Sequence, residues 1–65
     1  MVLKRAWIAR DEDGKAFLYS DKPSKGYYKW YNSGYYFPVT ELPEGVDPQW
    51  EDEEPIEVEL KIEKV

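Results

Sequence analysis

The sequence predicts an all-β fold: a small antiparallel meander of about four to six strands, forming a curled sheet or a small open barrel, with at most one short helical turn. Apolar and charged residues alternate from Ile56 to Glu63, the pattern of a strand with one wet face. An Asp13-Gly14 turn separates two short apolar runs, and no segment has the 3.6-residue period of a long helix. At 65 residues, the chain is expected to form a single small β domain over residues 1–65.

The first strand is predicted over residues 4–10, and a hairpin turn through Asp13-Gly14 leads to a return strand over residues 16–20. Residues 21–26 have loop composition. A second hairpin is predicted from residues 27–31 and 35–40, turning at residues 32–34 with Gly34 in the left-handed conformation. Pro38 lacks an N–H group, so its strand is predicted to lie at an edge or to break there.

Residues 41–48 contain two prolines and a glycine and are predicted to form a loop, in which the one short helical turn could lie. Pro55 marks the entry to the last strand, and Trp50 is expected to begin or flank it. Glu57, Glu59 and Glu63 should form the wet side of that strand.

Seven of the eleven residues from Tyr27 to Phe37 are aromatic. Alternation along the predicted hairpin places Tyr28, Trp30, Phe37 and Val39 in the core. Four other residues of the hairpin form the more exposed set, which is the candidate binding surface, because tyrosine supplies large amphipathic contact area. This candidate surface consists of Tyr27, Lys29, Tyr31 and Tyr36.

Composition excludes much chemistry. The chain has no cysteine and no histidine, so it has no disulfide, no typical zinc site and no histidine acid–base catalyst. Residues 11–14 begin like a calcium loop, but position 20 is serine where that loop requires glutamate. No spacing singles out a catalytic pair of carboxylates. We therefore expect a non-catalytic protein without a cofactor or a metal.

Charge is unevenly distributed. Residues 1–30 carry seven basic and four acidic side chains, a net +3, whereas residues 31–65 carry two basic and ten acidic ones, a net −8. The two halves could attract each other within the fold or across a dimer, or could leave a mildly basic face. The acidic total of −5 makes nucleic-acid binding an unlikely function. The acidic run at residues 51–54 is expected to be a solvated loop.

Two stretches resemble a group of short uncharacterised proteins from Bacteroides-like gut bacteria and their mobile elements. The first runs over residues 7–14, with Leu18-Tyr19 and Lys22-Pro23 following it, and the second runs over residues 50–60. The likeness covers the two ends of the chain and implies a small intracellular bacterial protein, such as an accessory gene product. It implies no activity, ligand or site.

Three classes of function are compatible with these features. The first is a protein-interaction module or homodimer that uses the aromatic surface, because a chain this short cannot bury all eleven of its aromatic side chains. The alternatives are single-stranded nucleic-acid binding by stacking on tyrosine, with five basic residues on phosphates, and carbohydrate binding. The N-terminus lacks the apolar run of a signal peptide and no segment is apolar enough to span a bilayer, which predicts a cytoplasmic protein without membrane contact. The five basic residues are Arg5, Arg10, Lys22, Lys25 and Lys29.

Overall fold

The computed structural model describes residues 2–62, with side chains described for residues 4–60, and this part of the chain forms six strands and no helix. The strands are β1 (Val2–Arg10), β2 (Ala16–Tyr19), β3 (Ser24–Lys25), β4 (Trp30–Tyr31), β5 (Tyr36–Val39) and β6 (Ile56–Ile62). All strand pairs are antiparallel. The predicted all-β class is confirmed, and the sheet does not close into a barrel.

Four strands form the main sheet in the order β5-β2-β1-β6, and β3 and β4 form a separate two-stranded ribbon. This order differs from a simple meander, because β6 pairs with β1 and β5 pairs with β2. The first hairpin is confirmed: β1 and β2 pair through Arg10↔Ala16, and Gly14 adopts a φ of 92° in the turn. Pro38 lies in β5 at the sheet edge, as its missing N–H predicts.

The predicted second hairpin is wrong. Residues 27–31 do not form one strand, because Gly26 N donates to Lys29 O and closes a tight turn that leaves only two residues for β4. β4 pairs with β3, whereas β5 pairs with β2. Since both strands within residues 27–40 pair with earlier segments of the chain, they do not pair with each other as a hairpin.

Gly34 was expected in the left-handed conformation, but only Gly14 and Gly45 have positive φ among the described residues. A side chain at Gly34 would instead meet the side chains of Ser20 and Asp21. The glycine is therefore required by a close approach between the segment before β5 and the end of β2.

The two faces of the main sheet differ in chemistry. On one face, the ribbon lies over Ala9 and Tyr19, and Trp30 fills the centre of the core with only 4% of its surface exposed. Trp7, Phe17 and Trp50 pack around this cluster. Trp50 does this from the loop between β5 and β6, five residues before Pro55, and does not lie in the last strand.

The other face is aliphatic and carries Ala6, Ile8 and Ala16 as its buried members. The alternation predicted for the last strand is confirmed over residues 56–60: Ile56, Val58 and Leu60 are half-buried, whereas Glu57 and Glu59 are exposed. The predicted wet position at Glu63 lies outside the described residues.

The predicted core set is only partly correct. Trp30 is buried and Val39 is half-buried, but Tyr28 is 63% exposed and Phe37 is 54% exposed. Tyr28 lies in the turn before β4, and Phe37 lies on the edge strand. Both are exposed because the hairpin that would have enclosed them does not form.

Candidate functional site

One cleft lies where the ribbon meets the main sheet, and five aromatic rings line it. It has a volume of about 290 Å³. Trp30 and Tyr19 are buried beneath it, Phe17 is half-buried, and the rings of Tyr31 and Tyr36 are exposed at its rim. We call this feature the aromatic cleft.

The rings on the sheet side of the cleft contact one another. The ring of Tyr36 stacks on that of Tyr19, with centroids 5.9 Å apart, and meets Phe17 edge-on at 5.8 Å. Register explains this, because Tyr19 pairs with Tyr36 across β2 and β5, so both rings project from the same face. Such pairs contribute about 0.5–1.5 kcal/mol beyond the area they bury.

The ribbon side of the cleft is fixed by hydrogen bonds to the turn between β1 and β2. The Trp30 backbone N–H donates to Asp11 Oδ1 at 2.9 Å, and its indole Nε1 donates to Arg10 O at 3.1 Å. Glu12 N donates to Tyr28 O at 3.1 Å. These three bonds attach the ribbon to the hairpin and place Tyr31 opposite Tyr36.

Asp11, Lys29 and Asn32 supply the polar lining of the cleft. Asp11 is 8% exposed, and burial raises the pKa of its carboxyl above the usual range, although the Trp30 N–H opposes the shift. Burial likewise raises the pKa of the Tyr19 hydroxyl, and the nearby Asp11 adds to this shift. Sequence reasoning missed Asp11 as a site residue. Because Asp11 lies in an acidic turn, its sequence context indicated only a solvent-exposed side chain.

Three of the four residues of the predicted binding surface meet in this cleft, namely Lys29, Tyr31 and Tyr36. The Lys29 Nζ lies 5.1 Å from the centroid of the Tyr31 ring. Tyr27 lies apart: it is 95% exposed and borders a shallow hollow with Lys25 and Gly26. The structure thus brings three predicted residues together and separates the fourth.

A second groove, of about 200 Å³, lies on the aliphatic face between Leu18, Phe37 and Leu60, with Lys4 at its edge. Among the described residues, no group of three or more acidic side chains is placed to hold a metal ion. No helix in the described part of the chain is long and apolar enough to cross a membrane.

Comparison of the chain with protein-family models, with curated proteins and with solved structures found no match.

Proposed function

We propose that this protein is a non-catalytic protein-interaction domain that binds an extended segment of a partner in the aromatic cleft. The observation that carries the proposal is the meeting of Lys29, Tyr31 and Tyr36 above Trp30 and Tyr19 in one cleft. Exposed tyrosines over a floor of buried rings offer a large contact area at low entropic cost.

The shape of the cleft favours a polypeptide segment. Its volume is near the lower end of the range for small-molecule sites, about 300–1,000 Å³, and two of its rings stand open to solvent at the rim. Aromatic-lined grooves on small β domains suit extended segments, especially proline-rich ones that are already ordered before binding. A second copy of this chain is one such partner, and sedimentation at two concentrations tests for the homodimer.

Nucleic-acid binding is the weaker alternative, because most of the basic residues assigned to phosphates are engaged within the fold. Arg5 pairs with Glu57 and Lys22 pairs with Glu54. Lys25 donates to Asp52 O and lies over the Trp50 ring at 4.4 Å. A buried carboxylate at the cleft floor also repels phosphate. A labelled oligonucleotide at low salt tests this alternative, and carbohydrate binding is tested with immobilised glycans.

The absence of catalysis is part of the proposal. A buried carboxyl with a raised pKa is also a feature of some catalytic sites. In this fold, however, the Asp11 carboxylate holds the Trp30 N–H, which gives it a structural role. Neither histidine nor cysteine is present to act with it. A cytoplasmic location and kinship with small bacterial accessory proteins accompany the proposal as sequence-based predictions.

A peptide-library selection tests the proposal. The wild-type domain should enrich a consensus sequence, and the enriched peptide should bind Tyr36→Ala about tenfold or more weakly, because truncating an aromatic hot-spot contact costs about 2 kcal/mol or more. Tyr27→Ala is the matched control, since Tyr27 is exposed but lies outside the cleft. No enrichment, or equal losses in the two variants, would contradict a binding role for the cleft.

A further inference from the structure

We propose that the aromatic cleft recognises a cationic side chain of the partner, a guanidinium group above all, with the Asp11 carboxylate as its counter-ion. This inference rests on the proposed function and names the chemical group that the cleft selects. Four features of the cleft support it: the aromatic walls, the buried Asp11, the side-chain oxygen of Asn32 and the nearby Lys29.

The walls of the cleft suit a cation. The faces of aromatic rings carry partial negative charge, and a cation within about 6 Å of a ring centroid is attracted to them. Tyr31 and Tyr36 present rings at the rim, and Tyr19 and Trp30 lie below. A guanidinium is planar and weakly hydrated, so it stacks on such rings at a smaller desolvation cost than an ammonium.

Asp11 supplies negative charge at the floor. Asp11 as a residue is 8% exposed, yet no ion pair to its carboxylate occurs among the described residues. Within the same part of the chain, its Oδ1 alone accepts a side-chain hydrogen bond, from the Trp30 N–H. The carboxylate therefore carries a charge without a bonded counter-ion at the bottom of a cleft, where a ligand cation would be held more strongly than at the surface.

The side chain of Asn32 also favours a ligand that donates hydrogen bonds. Asn32 lies in the cleft wall, and its Oδ1 is buried without a hydrogen-bond donor among the described residues. Asp11 and Asn32 both line the cleft, and each has a side-chain oxygen without a hydrogen-bond donor among the described residues. A guanidinium carries five N–H donors and no acceptor, so it complements this lining.

Lys29 already places a cation in this environment. Its Nζ lies 5.1 Å from the Tyr31 ring centroid, and its charge partly offsets the rise in the pKa of the Asp11 carboxyl. Lys29 is exposed, so its ammonium can move aside when a ligand enters. We infer that Lys29 competes with the ligand cation, and its removal should strengthen binding.

The test uses two capped peptides, acetyl-Gly-Pro-Arg-Pro-Gly-amide and its citrulline counterpart, which replaces the guanidinium with a neutral urea of the same shape. Binding to ¹⁵N-labelled protein is followed through the Trp30 indole and Asp11 amide signals, since both groups lie at the cleft. The arginine peptide should bind about tenfold more tightly than the citrulline peptide.

Three variants complete the test. Asp11→Asn keeps an acceptor for the Trp30 N–H and should reduce the preference for arginine to about twofold or less. Glu12→Gln removes the same charge from the same turn outside the cleft and should keep the preference. Lys29→Gln should tighten binding of the arginine peptide several-fold. Opposite effects of the Asp11 and Lys29 variants are not expected from a general loss of structure.

Equal affinity of wild-type protein for the two peptides overturns the inference, even if Asp11→Asn fails to fold. Equal behaviour of Asp11→Asn and Glu12→Gln also overturns it. If both peptides shift the cleft signals equally, the cleft binds peptide and only the selection for a cation is wrong. If neither peptide binds, the cationic inference fails, while the library selection with Tyr36→Ala decides the proposed function separately.

Discussion

Trp30 connects the core, the ribbon and the first hairpin. Its ring packs against Ala9 and Tyr19, its indole N–H reaches Arg10 O, and its backbone N–H reaches the Asp11 carboxylate. One side chain thus closes the core and fixes the ribbon to the first hairpin. In a domain without disulfides, such a buried aromatic residue supplies much of the apolar burial.

Trp30→Ala should therefore destabilise the protein by about 3–5 kcal/mol, which approaches the total stability of a domain this small. Urea unfolding followed by circular dichroism measures the effect. Tyr28→Ala is the control, because Tyr28 is exposed and its loss should cost less than about 1 kcal/mol. If Trp30→Ala does not fold, Trp30→Phe should still show a loss of about 1–3 kcal/mol. A near-native stability for Trp30→Ala would contradict the burial of this ring.

Asp11 shows how one carboxylate affects stability in two ways. It satisfies a buried N–H, but burial disfavours its charged form and raises its pKa above the ordinary value of 3.8. The folded protein therefore binds this proton more tightly than the unfolded chain does. The resulting stabilisation is fully present below the unfolded pKa and is lost as the pH rises through the folded pKa.

Comparing Asp11→Asn with the wild type isolates the pH-dependent contribution of the Asp11 carboxyl to the free energy of unfolding. The free energy of unfolding of the wild type minus that of Asp11→Asn should increase as the pH falls from 7 to about 3.5, because the pKa of the Asp11 carboxyl is raised in the folded protein. The contributions of the other carboxylates cancel in this difference, since both proteins contain them. Urea unfolding at several pH values measures it. Asp11→Ala should cost about 1–3 kcal/mol more than Asp11→Asn, because the Trp30 N–H loses its acceptor. A difference that decreases toward low pH would show that the carboxyl pKa is lowered instead.

At the scale of elements, two turns contain glycine for different reasons. Gly14 adopts a positive φ and has open space around its Cα, whereas Gly34 has an ordinary φ and faces Ser20 and Asp21 at close range. Ser20 Oγ also accepts the Tyr35 N–H at 2.8 Å, so displacing Ser20 would disturb the junction between β2 and β5. The aromatic cleft depends on that junction, because it sets the position of Tyr36.

The stability costs of alanine and asparagine substitutions should rank in opposite order at Gly14 and Gly34. At Gly14, alanine should cost about 1–2 kcal/mol and asparagine less, because asparagine tolerates left-handed backbone. At Gly34, alanine should cost about 1–3 kcal/mol and asparagine more, because the larger side chain worsens the overlap. Thermal unfolding of the four variants measures both series. Rescue by asparagine at Gly34 would indicate a left-handed turn, as the sequence predicted.

At the scale of the whole molecule, the basic first half and the acidic second half attract each other within the fold. Arg5 pairs with Glu57 and Lys22 pairs with Glu54, and Lys25 donates to Asp52 O. The first contact joins β1 to β6, and the other two hold the loop between β5 and β6 beside the ribbon, where Trp50 joins the core. Because the Lys22–Glu54 pair is exposed, we expect it to guide the path of the loop more than to stabilise it.

A double-mutant cycle on Lys22 and Glu54 tests that expectation. Lys22→Glu and Glu54→Lys should each destabilise by less than about 1 kcal/mol, and the double exchange should recover up to about 0.5 kcal/mol. The coupling should shrink in high salt. Urea unfolding at low and high salt measures it. A coupling well above 1 kcal/mol would mean that this pair is a principal support of the loop.

The elements that the local sequence pattern predicted correctly are those determined by interactions between residues close together in the chain. The Asp13-Gly14 turn, the alternation through Ile56, Val58 and Leu60, and the edge position of Pro38 all follow from backbone preference and period. The prediction of the second hairpin was wrong because the local sequence shows which segments can form strands but not which other segments of the chain they pair with best. β2 provides that partner for β5, and the turn at Gly26 and Lys29 shortens the other strand.

The candidate site was also predictable only in part from the sequence. Aromatic excess drew attention to residues 27–37, because a chain of this size cannot bury all its rings. Alternation along the predicted hairpin then selected Lys29, Tyr31 and Tyr36, and these three meet in the cleft although that hairpin does not form. Asp11 was not identified, since its burial depends on the ribbon folding over the first turn, a contact between residues 19 positions apart. Tyr27 was included only because the predicted strand placed it beside Tyr31.

The sequence by itself determined the all-β class, the first hairpin, the amphipathic last strand and a surplus of aromatic side chains, because periodicity, turn chemistry and composition are properties of the chain alone. Tertiary structure decided the strand order, the burial of Trp30 and Asp11, and the meeting of Lys29, Tyr31 and Tyr36 in one cleft. Those features arise from pairings between distant segments, and which pairing prevails depends on the free energy of all of them together.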